Sequence, residues 1–169
     1  MITADMLVLH LVGDYVIQSD WMATEKTKRS WPAFLHALTY TLPFLLLTRS
    51  PWALALILGT HFVIDRWRLA RYVCWAKNWF QPKHDVPIKT CLDCGFQTLD
   101  QTTPTCPTCG PTNPNWEYSG RWLRNAPWKF CSGTGYPSNR PAWLAVWLMI
   151  LADNTMHLIL NGLALHFFG

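Results

Sequence analysis

Pro51-Trp-Ala-Leu-Ala-Leu-Ile-Leu-Gly-Thr-His-Phe-Val-Ile-Asp65 decides how this chain is read. It holds no formal charge before Asp65, and it sets His61 and Asp65 four residues apart inside an apolar run. Working outward, residues 30–48 contain no Asp, Glu, Lys or Arg, and Pro141–Gly169 contain Asp153 alone. A spanning helix needs about 20 mostly apolar residues. The pattern therefore predicts spans over about 3–21, 32–48, 51–72 and 141–168, the first interrupted by Asp5, His10, Asp14, Gln18 and Asp20. The alternative is four buried helices of a soluble protein. The expected fold is all-α membrane: a bundle of about four transmembrane helices with a small cytoplasmic four-cysteine zinc-knuckle insert. Residues 1–80 would hold three spans and a basic interfacial helix, 81–140 the insert, and 141–169 the last span.

Composition points the same way. Half of the 169 residues are hydrophobic and only 14% are charged, against roughly a quarter in ordinary soluble domains. That excludes a disordered chain and leaves little charge to coat a soluble globule. No secretory signal is evident in residues 1–20.

All basic residues except Arg49 fall in the first and third loops of a four-span topology, among them Lys26, Lys28 and Arg29. The positive-inside rule then puts those loops in the cytoplasm and both termini outside, in an inner (plasma) membrane. The net charge of +4 reads as a collar facing anionic lipid rather than as a nucleic-acid surface. Trp67, Trp75 and Trp79, beside Arg and Lys, read as anchors at headgroup level. The aromatic and basic runs Asn113–Trp116 and Gly120–Phe130 admit base stacking, but beside apolar spans they read as a loop against headgroups.

Cys91-Leu-Asp-Cys94-Gly and Cys106-Pro-Thr-Cys109-Gly are two Cys-x2-Cys knuckles eleven residues apart. Each turn sets two thiolates on one side of a bend, and zinc takes four soft ligands in a tetrahedron. Gly95 and Gly110 follow each pair, where a left-handed backbone suits the turn. A closed set of four thiolates has no open position, so this zinc would be structural and would supply folding energy to a segment too small for a core. Two disulfides are the competing reading, disfavoured in a reducing compartment. Cys74 and Cys131 read as ordinary thiols.

The remaining chemistry lies in the apolar segments. His10-x3-Asp14, His61-x3-Asp65 and Asp153-x3-His157 each stack a carboxylate and an imidazole on one helix face. His36 adds a fourth imidazole, with Tyr40 one turn on, and Gln18 continues the face of Asp14. Ionisable groups in such segments must face inward and find partners. Two solutions remain open: hydrogen-bonded Asp–His pairs that only order the helices, or one or two divalent metals beside the zinc, held by some of His10, Asp14, His36, His61, Asp65, Asp153 and His157 with Gln18 and Tyr40 in support, enough ligands for a two-metal site.

The stretch His10-Leu-Val-Gly-Asp14 through Gln18, Trp21 and Lys26, followed by His36-x3-Tyr40, His61-x3-Asp65 and Asp153-x3-His157, resembles a family of small bacterial and phage membrane proteins known as domain of unknown function 3307. The resemblance covers residues 3–75 and 145–160 and implies a helical membrane protein without an established activity; the cysteine insert is not part of that pattern. A looser similarity is to membrane metal-dependent hydrolases and zinc phospholipases C. It implies a metal-bound hydroxide attacking a phosphoester, with Asp14, His36, His61, Asp65, Asp153 and His157 as the carrying residues. Three functions therefore stand side by side: a metal-dependent hydrolase of lipid-like phosphoesters, a metal-ion or proton pathway, and a scaffold whose zinc knuckle docks a cytoplasmic protein. A homo-oligomer is compatible with each.

Overall fold

The computed structural model describes residues 3–169 except 100, 102, 111–113, 132 and 138, so Asn113 of the aromatic run lies outside the described residues. Its architecture corrects the expected all-α bundle. Among the described residues there are six α-helices and a three-stranded antiparallel sheet, and one helix, Ala142–Phe168, is long and apolar enough to cross a membrane. The other expected spans are broken by local backbone chemistry.

Residues 3–21 divide into α1 (Ala4–Leu11), a π-helical turn over Val12–Ile17, an extended Gln18 and α2 (Asp20–Glu25). Thr3 and Ser19 cap the two α-helices with side-chain oxygens that accept from Met6 and Met22 N–H. In the second stretch α3 (Ser30–Thr41) tightens into a 3₁₀ turn over Leu42–Leu46. Pro43 lies in that turn and cannot donate the backbone bond that a continuing α-helix requires.

α4 (Pro51–Trp67) starts with Pro at its first position behind the Ser50 cap, and it stops at Arg68, whose φ of 50° is left-handed. The continuous basic, Trp-rich helix expected after residue 65 is thereby corrected: α5 (Ala70–Lys77) is a separate element, followed by a 3₁₀ turn over Asn78–Phe80. The last helix, α6, runs Ala142–Phe168.

The chain divides into two compact units, residues 1–70 with 150–169, and residues 71–149. The helical unit is centred on Met6, Tyr40, Phe44, Ile57 and Ala164. In the second unit, β1 (His84–Cys91) pairs antiparallel with β2 (Gln97–Thr98) on one side and β3 (Trp116–Leu123) on the other, in the order β2-β1-β3. Val86, Ile88, Leu99, Ala126 and Phe130 form its small core. Trp75 donates its indole N–H to the Ala126 carbonyl at 3.0 Å.

Candidate metal centres

The sheet unit carries the thiolate set. Cys91 ends β1, Cys94 follows in the turn, and Cys106 and Cys109 come from a second turn. Gly95 and Gly110 have φ of 74° and 88°, and each donates its N–H to the carbonyl of the first cysteine of its knuckle, at 2.8 and 2.9 Å. Left-handed backbone at these positions strongly favours glycine. Cys94 and Cys106 Sγ are 3.5 Å apart, and Cys91 and Cys109 Sγ are 3.8 Å apart. Thiolates at about 2.3 Å from one zinc lie about 3.8 Å from each other in a tetrahedron, whereas a disulfide would close to about 2.05 Å. The four cysteines are free and close together, in a geometry compatible with a zinc site. Cys131 lies outside this group, and burial pushes its thiol up to about 11.

The helical unit carries the second set. His36 comes from α3, His61 and Asp65 from one face of α4, and Asp14 from the π-helical turn. All four are buried, and their ligand atoms lie within 4.8 Å of one another. His36 Nε2 and His61 Nε2 are 2.9 Å apart. Asp14 Oδ1 is 3.2 Å from the first and 3.4 Å from the second, and Asp65 Oδ2 is 3.1 Å from each. An imidazole nitrogen has one proton or one lone pair to offer, so the two imidazoles by themselves cannot satisfy this convergence. Nitrogen and oxygen ligands at about 2.0–2.1 Å from one ion lie about 3.3 Å apart in a tetrahedron, and the observed spacings bracket that value.

Gly13 explains why Asp14 reaches this position. A side-chain Cβ there would sit 2.5 Å from Tyr40 Cδ2, so the π turn lies directly on the Tyr40 ring. That ring stacks on His61, with centroids 3.6 Å apart, and fixes the imidazole plane. The outer nitrogens of these two histidines are less well supported. Nδ1 of His36 and of His61 are buried without hydrogen-bond partners, where metal-bound histidines ordinarily donate to a second group.

His10 stands apart from the ligand group. Asn161 Nδ2 donates to Tyr40 Oη at 2.6 Å, Tyr40 Oη pairs with His10 Nδ1 at 2.8 Å, and His10 Nε2 pairs with Asn154 Oδ1 at 3.2 Å. Both ring nitrogens of His10 are engaged in this chain, and its Nδ1 remains 3.6 Å from Asp14 Oδ2. On α6, Asp153 and His157 face Asp65 and form with it a third group whose ligand atoms lie within 4.8 Å of one another.

Lys26, in the basic loop after α2 as the charge pattern predicts, also reaches the cluster, which the sequence did not show. Its ammonium donates to Gln18 Oε1 at 2.8 Å and to Asp65 Oδ2 at 2.9 Å, and it lies 3.2 Å from His36 Nε2. No periodic signal marks it, because α2 and the turn after it reverse the chain. Asn161 was also missed, although Asp153, His157 and Asn161 share one helical face at four-residue spacing and could have been read together.

A valine–tRNA ligase from Symbiobacterium thermophilum is 32% identical over 79 residues, a match covering 45% of this chain and 8% of that one. The chain thus spans under a tenth of the length of the curated relative it matches. No solved structure matches it. A family model matches residues 2–86, the stretch that holds Asp14, Lys26, His36, His61 and Asp65 but not the four cysteines, Asp153 or His157. The chain belongs to that family, which is described as protein of unknown function (DUF3307).

Proposed function

We infer that the helical unit holds a divalent metal between Asp14, His36, His61 and Asp65 and uses it to hydrolyse a lipid-like phosphoester. The observation that carries this reading is the meeting of two imidazole Nε2 atoms and two carboxylate oxygens at 2.9–3.4 Å. A bound cation neutralises the carboxylates, polarises a phosphoryl oxygen and lowers the pKa of bound water.

The lipid class of substrate follows from the unit's inverted polarity. It buries His10, Asp14, His36, His61, Asp65 and His157 while exposing Val16, Leu46, Trp52, Leu151 and Ile159. Soluble domains do the reverse, and apolar surface on this scale marks contact with membrane or protein. α6, about 40 Å long at 1.5 Å per residue, has the length to anchor the unit in a bilayer. The four thiolates hold a structural zinc in the other unit.

Metal content of the purified full-length chain tests the reading. The expected result is more than one equivalent, with the excess lost in His61→Ala and with it the release of headgroup from phospholipid in mixed micelles. A single equivalent, retained in His61→Ala, would remove the metal centre and the hydrolase together. One observation favours a second reading, an ion-paired core that only orders the helices: the Lys26 ammonium already stands 2.9 Å from Asp65. That reading expects the single equivalent.

A further inference from the structure

The two carboxylate oxygens of Asp65 face different partners. Oδ2 meets His36, His61 and Lys26, while Oδ1 points to His157 Nε2 at 3.6 Å. His157 Nε2 is 3.6 Å from Asp153 Oδ2 as well. Both distances are too long for hydrogen bonds, and Nε2 has no hydrogen-bond partner although the residue is only 1% exposed. A buried imidazole nitrogen aimed between two carboxylates, yet bonded to neither, is the donor set of a cation site. Ligands about 2.05 Å from one ion and 3.6 Å apart subtend about 120° there, an ordinary coordination angle.

We propose that the centre is binuclear. Asp65 bridges a first divalent ion, held through Oδ2 with Asp14, His36 and His61, and a second, held through Oδ1 with Asp153 and His157. This rests on the metal reading of the preceding section and deepens it. The two positions differ in kind. The first has four protein ligands, all buried. The second has three, and Asp153, whose side chain is 28% exposed, leaves it open on one side. Three protein ligands with an open position is the arrangement that binds water or substrate in catalytic sites. Ions bridged by one carboxylate at about 3.5–4 Å can clamp the attacking and leaving oxygens of an in-line displacement at phosphorus. The second ion is therefore the one that carries the nucleophilic water, and the substrate class is a phosphoester presented from the side of Asp153.

The test loads the full-length chain with zinc at the thiolates and titrates it with Mn2+, whose preference for oxygen and nitrogen ligands keeps it off sulfur. The wild type is expected to take up two Mn2+ and to give an exchange-coupled electron paramagnetic resonance spectrum. His157→Gln and Asp153→Asn are each expected to take up one and to give the spectrum of an isolated ion. An unchanged helical circular dichroism spectrum shows that a variant is folded, and Asp153→Asn, at the more exposed position, serves if His157→Gln is not. One uncoupled Mn2+ in the wild type, unchanged in both variants, would overturn the bridge while leaving the first site standing. No bound Mn2+ at all would overturn the metal reading of the helical unit itself.

Discussion

The chain gathers possible metal ligands in two units by opposite means. The thiolates come from residues 91–109, two short turns that fix each pair locally and need only the sheet to bring them together. The imidazoles and carboxylates come from residues 14–157, from a π-helical turn and three helices whose packing brings them together. Charge balance differs too. Among the described residues the side-chain partners of the four sulfurs are Asp93 and one another, an arrangement compatible with a zinc site. The helical set has Lys26 inside it, a positive charge already in contact with Asp65. A local, uncompensated ligand set makes folding depend on the metal. A dispersed set with its own counter-ion makes the metal a property of an already folded unit.

The largest effect follows directly. Cys94→Ala or Cys106→Ser is expected to unfold β1–β3, because structural zinc supplies roughly 10–16 kcal/mol of binding free energy in small finger peptides and the core of Val86, Ile88, Leu99, Ala126 and Phe130 is too small to replace it. Hydrogen exchange reads this: amides of 84–91 and 116–123 lose protection, while those of α3 and α4 keep theirs. If protection in the strands survives both substitution and chelation, the contrast between the two units is wrong.

Next in size is Asp65→Asn. It leaves the Lys26 ammonium without its carboxylate, a change that costs roughly 3–5 kcal/mol for a buried pair. Urea denaturation of the helical unit measures it, and zinc at the cysteines is expected to stay. Gly13→Ala acts through packing alone. Its Cβ would overlap the Tyr40 ring, and an overpacked site typically costs about 1–3 kcal/mol. Because Tyr40 stacks on His61, metal affinity in the helical unit is expected to fall along with stability.

How much of this the sequence carried follows the same division. Cys-x2-Cys spacing is a local signal, since the turn that positions the sulfurs lies between them, and the four cysteines do come together. The four-residue spacings of His61 with Asp65 and Asp153 with His157 were legible because a helix turns once in 3.6 residues. The fold class was not. An apolar run reports what surrounds a segment, not whether its backbone stays helical, so Gly13, Pro43 and the left-handed Arg68 interrupted stretches that hydropathy read as continuous. The sheet was missed for a related reason. Trp116, Tyr118 and Trp122 alternate with Glu117, Ser119 and Arg121 at the two-residue period of a strand, but the aromatic and basic composition drew the reading toward headgroups. The contact of Lys26 with the cluster was not foreseen because charge counting assigns a residue to a loop and says nothing of where the loop folds back.

Lys26→Met separates the two accounts of the helical unit, although its effect is the smallest. The ammonium lies 2.9 Å from Asp65 Oδ2 and 3.2 Å from His36 Nε2, the atoms that a cation between Asp14, His36, His61 and Asp65 would use. A divalent ion and the ammonium compete for the same negative charge, and like charges at such range repel by several kcal/mol even when well screened. The side chain is 16% exposed, and Gln18 is its remaining partner, so it has a way to swing outward when an ion arrives. If the centre binds metal, removing the charge while keeping most of the apolar stem raises Mn2+ affinity about tenfold or more, which is about 1.4 kcal/mol. If instead the ammonium is the cation around which the core is built, Lys26→Met leaves two buried carboxylates facing each other, and the helical unit loses stability at neutral pH without gaining affinity for any metal. Isothermal titration with Mn2+ and urea denaturation of the same preparation give opposite signs in the two cases.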